Sequence, residues 1–264
     1  MTQKAELERM APRDFRQMVR RGEWTGPTSG ISSGYAQGNL AIVPKEFAFD
    51  FFLFCFRNSQ PCPVMDVTEP GDPHPKRLAP EADLRTDLPR YRVFKGGELI
   101  DEPTDITRYW REDLVGFLLG CSYSFEWALK AANIRFRLMG AFTSRIECNP
   151  VGRFQGPMAV TLRLIKGTAD AVRAIQISSR MPAVHGAPVH IGDPERIGIS
   201  DIYHADLFPH PGEAPQSADE IPVFWGCGIT PQLVALKAKL PWMITHLGGH
   251  MFVTDRPVEG LAAL

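Results

Sequence analysis

Apolar residues recur at helical spacing at Leu7, Met10, Ala11, Phe15, Met18 and Val19, with Arg13, Arg16 and Arg20 on the opposite face. Pro12 can open the stronger part of that helix, and Gly22 closes it. From Gly26 to Leu40 the chain is rich in Gly and Ser, which disfavours a helix interior and predicts an ordered loop. Pro44 fits the first position of a second helix reaching about Arg57, apolar nearly all round and therefore expected to be buried. Four prolines between Thr68 and Pro80 predict a surface loop. Tyr91–Phe94 and Glu98–Ile100 flank Lys95-Gly96-Gly97 as a hairpin. Two helices are expected between Thr107 and Ala132, broken near Gly120. Met158–Leu164 alternates as a strand, and Thr168 caps a helix from Ala169 to about Ser179. Ile221–Trp225 reads as a strand, Pro231–Lys239 as a helix and Met251–Thr254 as a final strand. This alternation predicts an α/β fold, a mixed sheet flanked by helices in two lobes with a cleft between them. Residues 1–264 would form one globular unit.

Composition narrows the function more than the fold. The chain has 264 residues, 29 Lys and Arg against 30 Asp and Glu, 44% hydrophobic and 22% charged residues. A chain of this length buries most of its unfolded surface, so its core needs no covalent staple. A net charge of −1 argues against a nucleic-acid partner. The greasiest run, Phe47–Phe56, is ten residues long and contains Asp50. It falls short of the roughly 20 apolar residues of a membrane helix, so no membrane partner is expected. The N-terminus shows no signal-peptide hydrophobic region, and Glu6, Glu8 and Asp14 argue against a transit peptide. Cys55, Cys62, Cys121, Cys148 and Cys227 are odd in number and form no CxxC, as expected of a reduced, cytoplasmic chain. A symmetric homodimer is the prior for assembly.

One internal echo stands out. Gly120-Cys121-Ser122-Tyr123-Ser124-Phe125-Glu126 aligns with Gly226-Cys227-Gly228-Ile229-Thr230-Pro231-Gln232, each after an apolar run and before a helical stretch. Ser124 and Thr230 fall where a helix cap belongs, with Pro231 at the first helical position. Free backbone N–H groups and a helix dipole at such turns suit a carboxylate or phosphate, and the dipole would lower a nearby thiol pKa. The two turns would then flank one anion-binding cleft. Alternatively, both cysteines are small buried residues filling turn corners.

Other candidates lie outside the turns. His246 and His250 are four apart, a metal-binding spacing on a helix, but Gly248-Gly249 makes a helix unfavourable and no Glu follows His246. They read as polar site histidines or as hydrogen-bonded structural ones, with no metal expected. His185-Gly186-Ala187-Pro188-Val189-His190 belongs to a loop-rich region, His185 to Pro215, holding four of the seven histidines. Arg163 lies mid-strand, where an Arg needs a partner or a ligand; it is a candidate carboxylate clamp or a solvent-facing edge residue. Thr28 and Ser29, between Gly26 and Gly30, could stabilise an oxyanion. No P-loop, dinucleotide fingerprint or Gly-x-Ser-x-Gly elbow occurs, so no nucleotide cofactor is expected.

The run Gly26-Pro27-Thr28-Ser29-Gly30 with Gly34-Tyr35, Gln37 and Asn39-Leu40 resembles the opening motif of the D-glutamate cyclase family. The resemblance continues through Phe54-Cys55, Asn58, Cys62-Pro63, Gly120-Cys121-Ser122, Ser124-Phe125-Glu126 and His185–His190. It ends with Pro222–Pro231, Thr245-His246 and Gly249-His250-Met251. It departs at Gly248, where the family usually has Pro, and is looser over Leu138–Thr143.

The resemblance implies a cofactor-free hydro-lyase acting on a small anionic substrate, dehydrating D-glutamate to 5-oxo-D-proline. Under it Arg163 or a Cys-bearing turn would hold the α-carboxylate, and His246 or His185 would be the base. Thr28 and Ser29 would stabilise the tetrahedral charge, and His250 or Glu126 would be the acid. Asn39, Ser122, Ser124 and Thr230 join the expected substrate-binding set. A second reading makes Cys121 and Cys227 the paired thiols of a cofactor-independent amino-acid racemase. A third is a non-catalytic carboxylate-binding protein.

Overall fold

The computed structural model describes residues 3–209 and 217–263. The expected first helix is two, α1 (Gln3–Arg9) and α2 (Pro12–Arg20), because Pro12 cannot continue α1. Strand β1 (Tyr35–Pro44) follows, so the second half of the expected Gly/Ser loop is strand. Its backbone is enclosed on both edges, and its residues are buried on both faces from Ala36 onward. Helix α3 (Lys45–Arg57) starts after Pro44, which caps it. It is not buried all round: Phe51, Phe54 and Cys55 face inward, while Phe49 and Phe56 are 73% and 69% exposed. Strands β2 (Val64–Val67), β3 (Tyr91–Lys95) and β4 (Glu98–Asp101) come next, the last two being the expected hairpin.

The two helices expected between Thr107 and Ala132 are replaced by a single helical turn at Thr107–Tyr109, strand β5 (Leu114–Gly120) and helix α4 (Tyr123–Ala131). The run Leu114–Gly120 is buried on both faces: Leu114 and Leu118 join one core cluster, Val115, Phe117 and Leu119 another. A strand packed on both sides carries no alternation to read. Then come β6 (Phe136–Glu147), β7 (Pro157–Lys166) and α5 (Thr168–Ser179). Gly167, not Thr168, occupies the cap of α5, and no side chain caps it. The chain continues with β8 (His190–Ile191), β9 (Phe208–Pro209), β10 (Glu220–Gly226), α6 (Thr230–Lys237), β11 (Met243–His246) and β12 (Phe252–Pro257). The end of the loop-rich histidine region, including His210, lies outside the described residues.

These elements form an α/β protein with two antiparallel sheets. One has the order β2-β5-β1-β11-β3-β4, with β12 also on β1; the other runs β8-β10-β7-β6-β9. Two registers matter for the site. β12 pairs with β1 up to Gly38↔Phe252, and β11 pairs with it at Ala41↔Thr245. Between them the chain leaves the sheet as a loop, Leu247–Met251, opposite Asn39 and Leu40. Among the described residues no helix is long and apolar enough to cross a membrane.

Candidate active site

The two echoed turns meet. β5 delivers Gly120-Cys121 and β10 delivers Gly226-Cys227, each strand entering a helix. Both turns close alike: Ser124 N–H donates to Cys121 O at 3.0 Å, and Thr230 N–H to Cys227 O at 2.9 Å. Asn39 Nδ2 donates to Gly120 O at 2.8 Å, bridging from β1. A methyl group on Gly228 would lie 2.0 Å from Asn39 Nδ2 and 2.9 Å from Gly120 O, so the contact requires glycine. Asn39, Cys121, Ser122, Thr161, Cys227 and His246 line one pocket of about 40 Å³, completed by Tyr123, Phe208, Gly249 and Met251 among others. The N-termini of α4 and α6 both reach this pocket.

The thiols are not the activated pair that the helix dipoles suggested. Burial pushes Cys121 up to about 12 and Cys227 up to about 11, although the Tyr123 and Ile229 N–H groups pull the other way. Desolvation therefore wins, and both are thiols at neutral pH.

Arg163 is fully buried in β7, the central strand of its sheet, so it is not a solvent-facing edge residue. Nor is it among the residues that line the pocket. Its Nε and one terminal nitrogen donate to Glu126 Oε1 at 3.0 and 2.6 Å, and the guanidinium lies 4.9 Å from the Phe125 ring centroid and 5.5 Å from that of Trp225. Glu126 is thereby engaged, and neither residue lines the pocket. The remaining donors reach forward: Arg163 donates to Ser122 Oγ at 3.0 Å and to Thr161 Oγ1 at 3.1 Å. Each hydroxyl accepts from the cation, so its own O–H is free to point into the pocket, and neither has another side-chain partner among the described residues.

The histidines separate by tautomer. Leu40 N–H and Gln232 Nε2 both donate to His246 Nδ1, at 3.1 and 2.8 Å. Nδ1 must then be the acceptor, which leaves Nε2–H as a donor. Burial lowers His246 to about 4, so it is neutral at pH 7. His250 is half-buried and does not itself line the pocket, but it lies on the loop whose Gly249 and Met251 do. Its Nδ1–H donates to Gly248 O at 2.8 Å, so its Nε2 carries the lone pair. Among the described residues no group of three or more His, Cys, Asp or Glu gathers as a metal site.

Five expected residues lie elsewhere. Thr28 is buried, its hydroxyl held by Gln37 Oε1, Gly249 O and the Met251 N–H; it ties down the histidine loop. Ser29 is exposed on another surface, beside Trp24 and Gln3. Ser124 Oγ accepts from Gln37 N–H, and Thr230 Oγ1 accepts from Ala159 N–H and donates to Cys227 O. Neither caps its helix; the cap positions are Ser122 and Ile229. His185 is buried against a different cleft, lowered to about 4 by desolvation, with Nδ1–H donating to Gln60 O at 2.9 Å.

Thr161, Tyr123 and Gln232 escaped the sequence reading. Gln232 had a signal: it matches Glu126 in the echo. The equivalent positions do equivalent work, Glu126 holding Arg163 and Gln232 holding His246.

The fold and site thus define an α/β protein with a small donor-lined pocket between two matched turns. Residues 115–255 match the family model for D-glutamate cyclase. The chain is 52% identical to a "Putative hydro-lyase" of Bacillus licheniformis, covering 94% of this chain and 96% of that one. It is also 52% identical to one of Geobacillus kaustophilus (97% and 98% covered) and 50% identical to one of Bacillus subtilis (97% and 100%). The chain belongs to the D-glutamate cyclase family. Among solved structures, a nitrogen repressor-like protein from Methanococcus jannaschii covers 88% of this chain and 91% of its own, at 8% identity and TM-score 0.41.

Proposed function

We propose that this protein is a hydro-lyase that cyclises D-glutamate to 5-oxo-D-proline and water. The observation that carries this reading is an anion-directed lining bordered by a loop that carries an imidazole. Ser122 and Thr161 offer O–H donors set by Arg163, His246 offers Nε2–H, and His250, which does not itself line the pocket, stands between the lining residues Gly249 and Met251 with its Nδ1–H engaged by Gly248 O.

In the reaction the α-amine attacks the side-chain carboxyl carbon. A new C–N bond forms, a C–O bond breaks, and the two protons lost from nitrogen leave with the oxygen as water. One base that takes a proton and returns it therefore suffices, and in this reading His250 takes that role as its loop opens and turns the imidazole toward the pocket. His246 donates a hydrogen bond and keeps its proton, because losing it would leave an imidazolate. Charge growing on the carboxyl oxygens is met by the two hydroxyls and the helix N-termini. This exchanges the roles expected for the two histidines and replaces Thr28 and Ser29 by Ser122 and Thr161.

A pocket of about 40 Å³ holds roughly one water, whose share of liquid is about 30 Å³. Substrate entry therefore needs an opening. The Phe208 ring, within 3.2–3.3 Å of where methyl groups on Gly248 and Gly249 would stand, covers that loop and must move.

The racemase reading draws on both cysteines lining one pocket. It requires a thiolate to take the α-proton, and burial keeps both thiols protonated. Incubation of the purified protein with D-glutamate should yield 5-oxo-D-proline, and His250→Gln should lower turnover about 100-fold or more. Wild-type turnover in that variant would remove His250 from the mechanism. A carboxylate that raises Tm without any product would mark a binding protein instead.

A further inference from the structure

A second cleft, of about 670 Å³, lies behind the same two turns. That volume is within the range of small-molecule sites, about 300–1,000 Å³. Its walls include Phe52 and Phe56 of α3, 39% and 69% exposed, with Cys55 and Met65 between them and the sheet. Two charged residues line it. Asp66 is spent, its oxygens taking the N–H groups of Val67, Arg77 and Leu78. The Arg77 side chain is exposed and has no ion-pair or hydrogen-bond partner among the described residues. The cleft therefore offers an aromatic wall and one cation whose guanidinium has no ion-pair partner among the described residues, beside a carboxylate whose oxygens are taken up by backbone N–H groups.

One side of it backs onto the two turns. Gln60 and Cys62 of one segment and Pro182, Ala183 and His185 of another line it. A methyl group on Gly226 would lie 2.9 Å from Pro61 Cα, and one on Gly120 would lie 2.0 Å from Ala183 O. Each glycine precedes the cysteine of its turn, and both cysteines line the small pocket, so the turns rest backbone to backbone on the two segments. His185 joins the two segments through its bond to Gln60 O. It holds φ at +85°, a conformation that costs a residue with a side chain, and its Nε2 is buried without a partner. Local strain of this kind, at a joint between packed segments, suits an element with two arrangements.

We propose that this cleft is a second ligand site for a small amphipathic carboxylate, with its apolar body against Phe52 and Phe56 and its charge on Arg77, whose occupancy is felt at the small pocket through Gly120 and Gly226. The proposal rests on the reading above only in taking the small pocket to bind an acid; it does not need turnover.

Calorimetry with 3-phenylpropionate tests it, with propionate and 3-phenylpropanol as controls lacking the body or the charge. Saturable binding of 3-phenylpropionate is expected, at least tenfold tighter than either control. Arg77→Ala and Phe56→Ala, both at exposed side chains, should weaken it at least tenfold and leave the affinity for glutarate, a diacid without an amine, unchanged. The double variant Ser122→Ala/Thr161→Val should do the reverse. Saturating 3-phenylpropionate should shift glutarate affinity by at least twofold, to a finite limit. No saturable binding, equal binding by the Arg77 and Phe56 variants, or mutual exclusion with glutarate would overturn the second site. Glutarate affinity indifferent to 3-phenylpropionate would overturn the coupling. A wild-type protein that binds 3-phenylpropionate but no glutarate would count against the small pocket's reading and leave the cleft standing.

Discussion

His246 and His185 are neutral because they are buried, and this has a consequence for stability. Both have folded-state values of about 4, below the ordinary 6.5. Between those values the unfolded chain binds protons that the folded chain does not. Stability is therefore fully present above about pH 6.5 and falls as pH drops toward 4, by up to roughly 3 kcal/mol for each histidine. Urea unfolding at pH 7.5 and 5 should show the loss, and His246→Gln should remove part of it; an unchanged pH slope in that variant would clear His246 of the effect. The hydroxyl at Thr161 separates another pair of outcomes. Thr161→Ser keeps the O–H that Arg163 orients and should keep turnover within a few-fold. Thr161→Val, of similar shape, should lower kcat/KM by about 10- to 100-fold, as removal of a transition-state donor does. Equal activity in both would mean that Thr161 serves packing alone. At this scale the sequence was a mixed guide. It offered His246, Asn39, Ser122 and both cysteines, which do share a pocket. It also offered Thr28 and Thr230, whose hydroxyls are consumed inside the fold, because residue type and a neighbouring glycine do not reveal which hydroxyl already has partners.

At the scale of elements, the site is a junction of two strand–turn–helix units held in contact by β1. Glycine at 228 is required by that contact. Gly228→Ala would press a methyl group to 2.0 Å from Asn39 Nδ2, so the turns must separate or Asn39 must let go of Gly120. The expected outcome is a folded protein destabilised by about 1–3 kcal/mol and nearly inactive, measured by Tm and turnover together; full activity would show that the junction has slack. The pairing of the turns was legible in the sequence because both carry the same Gly-Cys step and the same spacing to Glu126 or Gln232. The β3–β4 hairpin was legible through Gly96-Gly97. Strand β5 was not, since burial on both faces erases the alternation that marks a strand. Strand β1 was hidden by Gly34, Gly38 and their small neighbours, which tertiary pairing on both edges holds extended despite weak local preference.

For the whole molecule, two antiparallel sheets bring residues from Asn39 to Met251 into one pocket. The long-range order was legible only as α/β alternation, because strand pairing between distant segments leaves no local trace. The charge balance of −1 fits the proposal, in which an acid is met by neutral donors and one internally compensated Arg rather than by a basic surface. The proposed cyclisation changes a C–O bond of the side-chain carboxylate and leaves the α-C–H bond intact. Mass spectrometry of D-glutamate incubated with the protein in deuterium oxide tests it most directly. The expected result is 5-oxo-D-proline, lighter than its precursor by one water, with no deuterium at the α-carbon. Glutamate recovered at its original composition but with deuterium at that carbon would contradict cyclisation and return the chemistry to the two thiols.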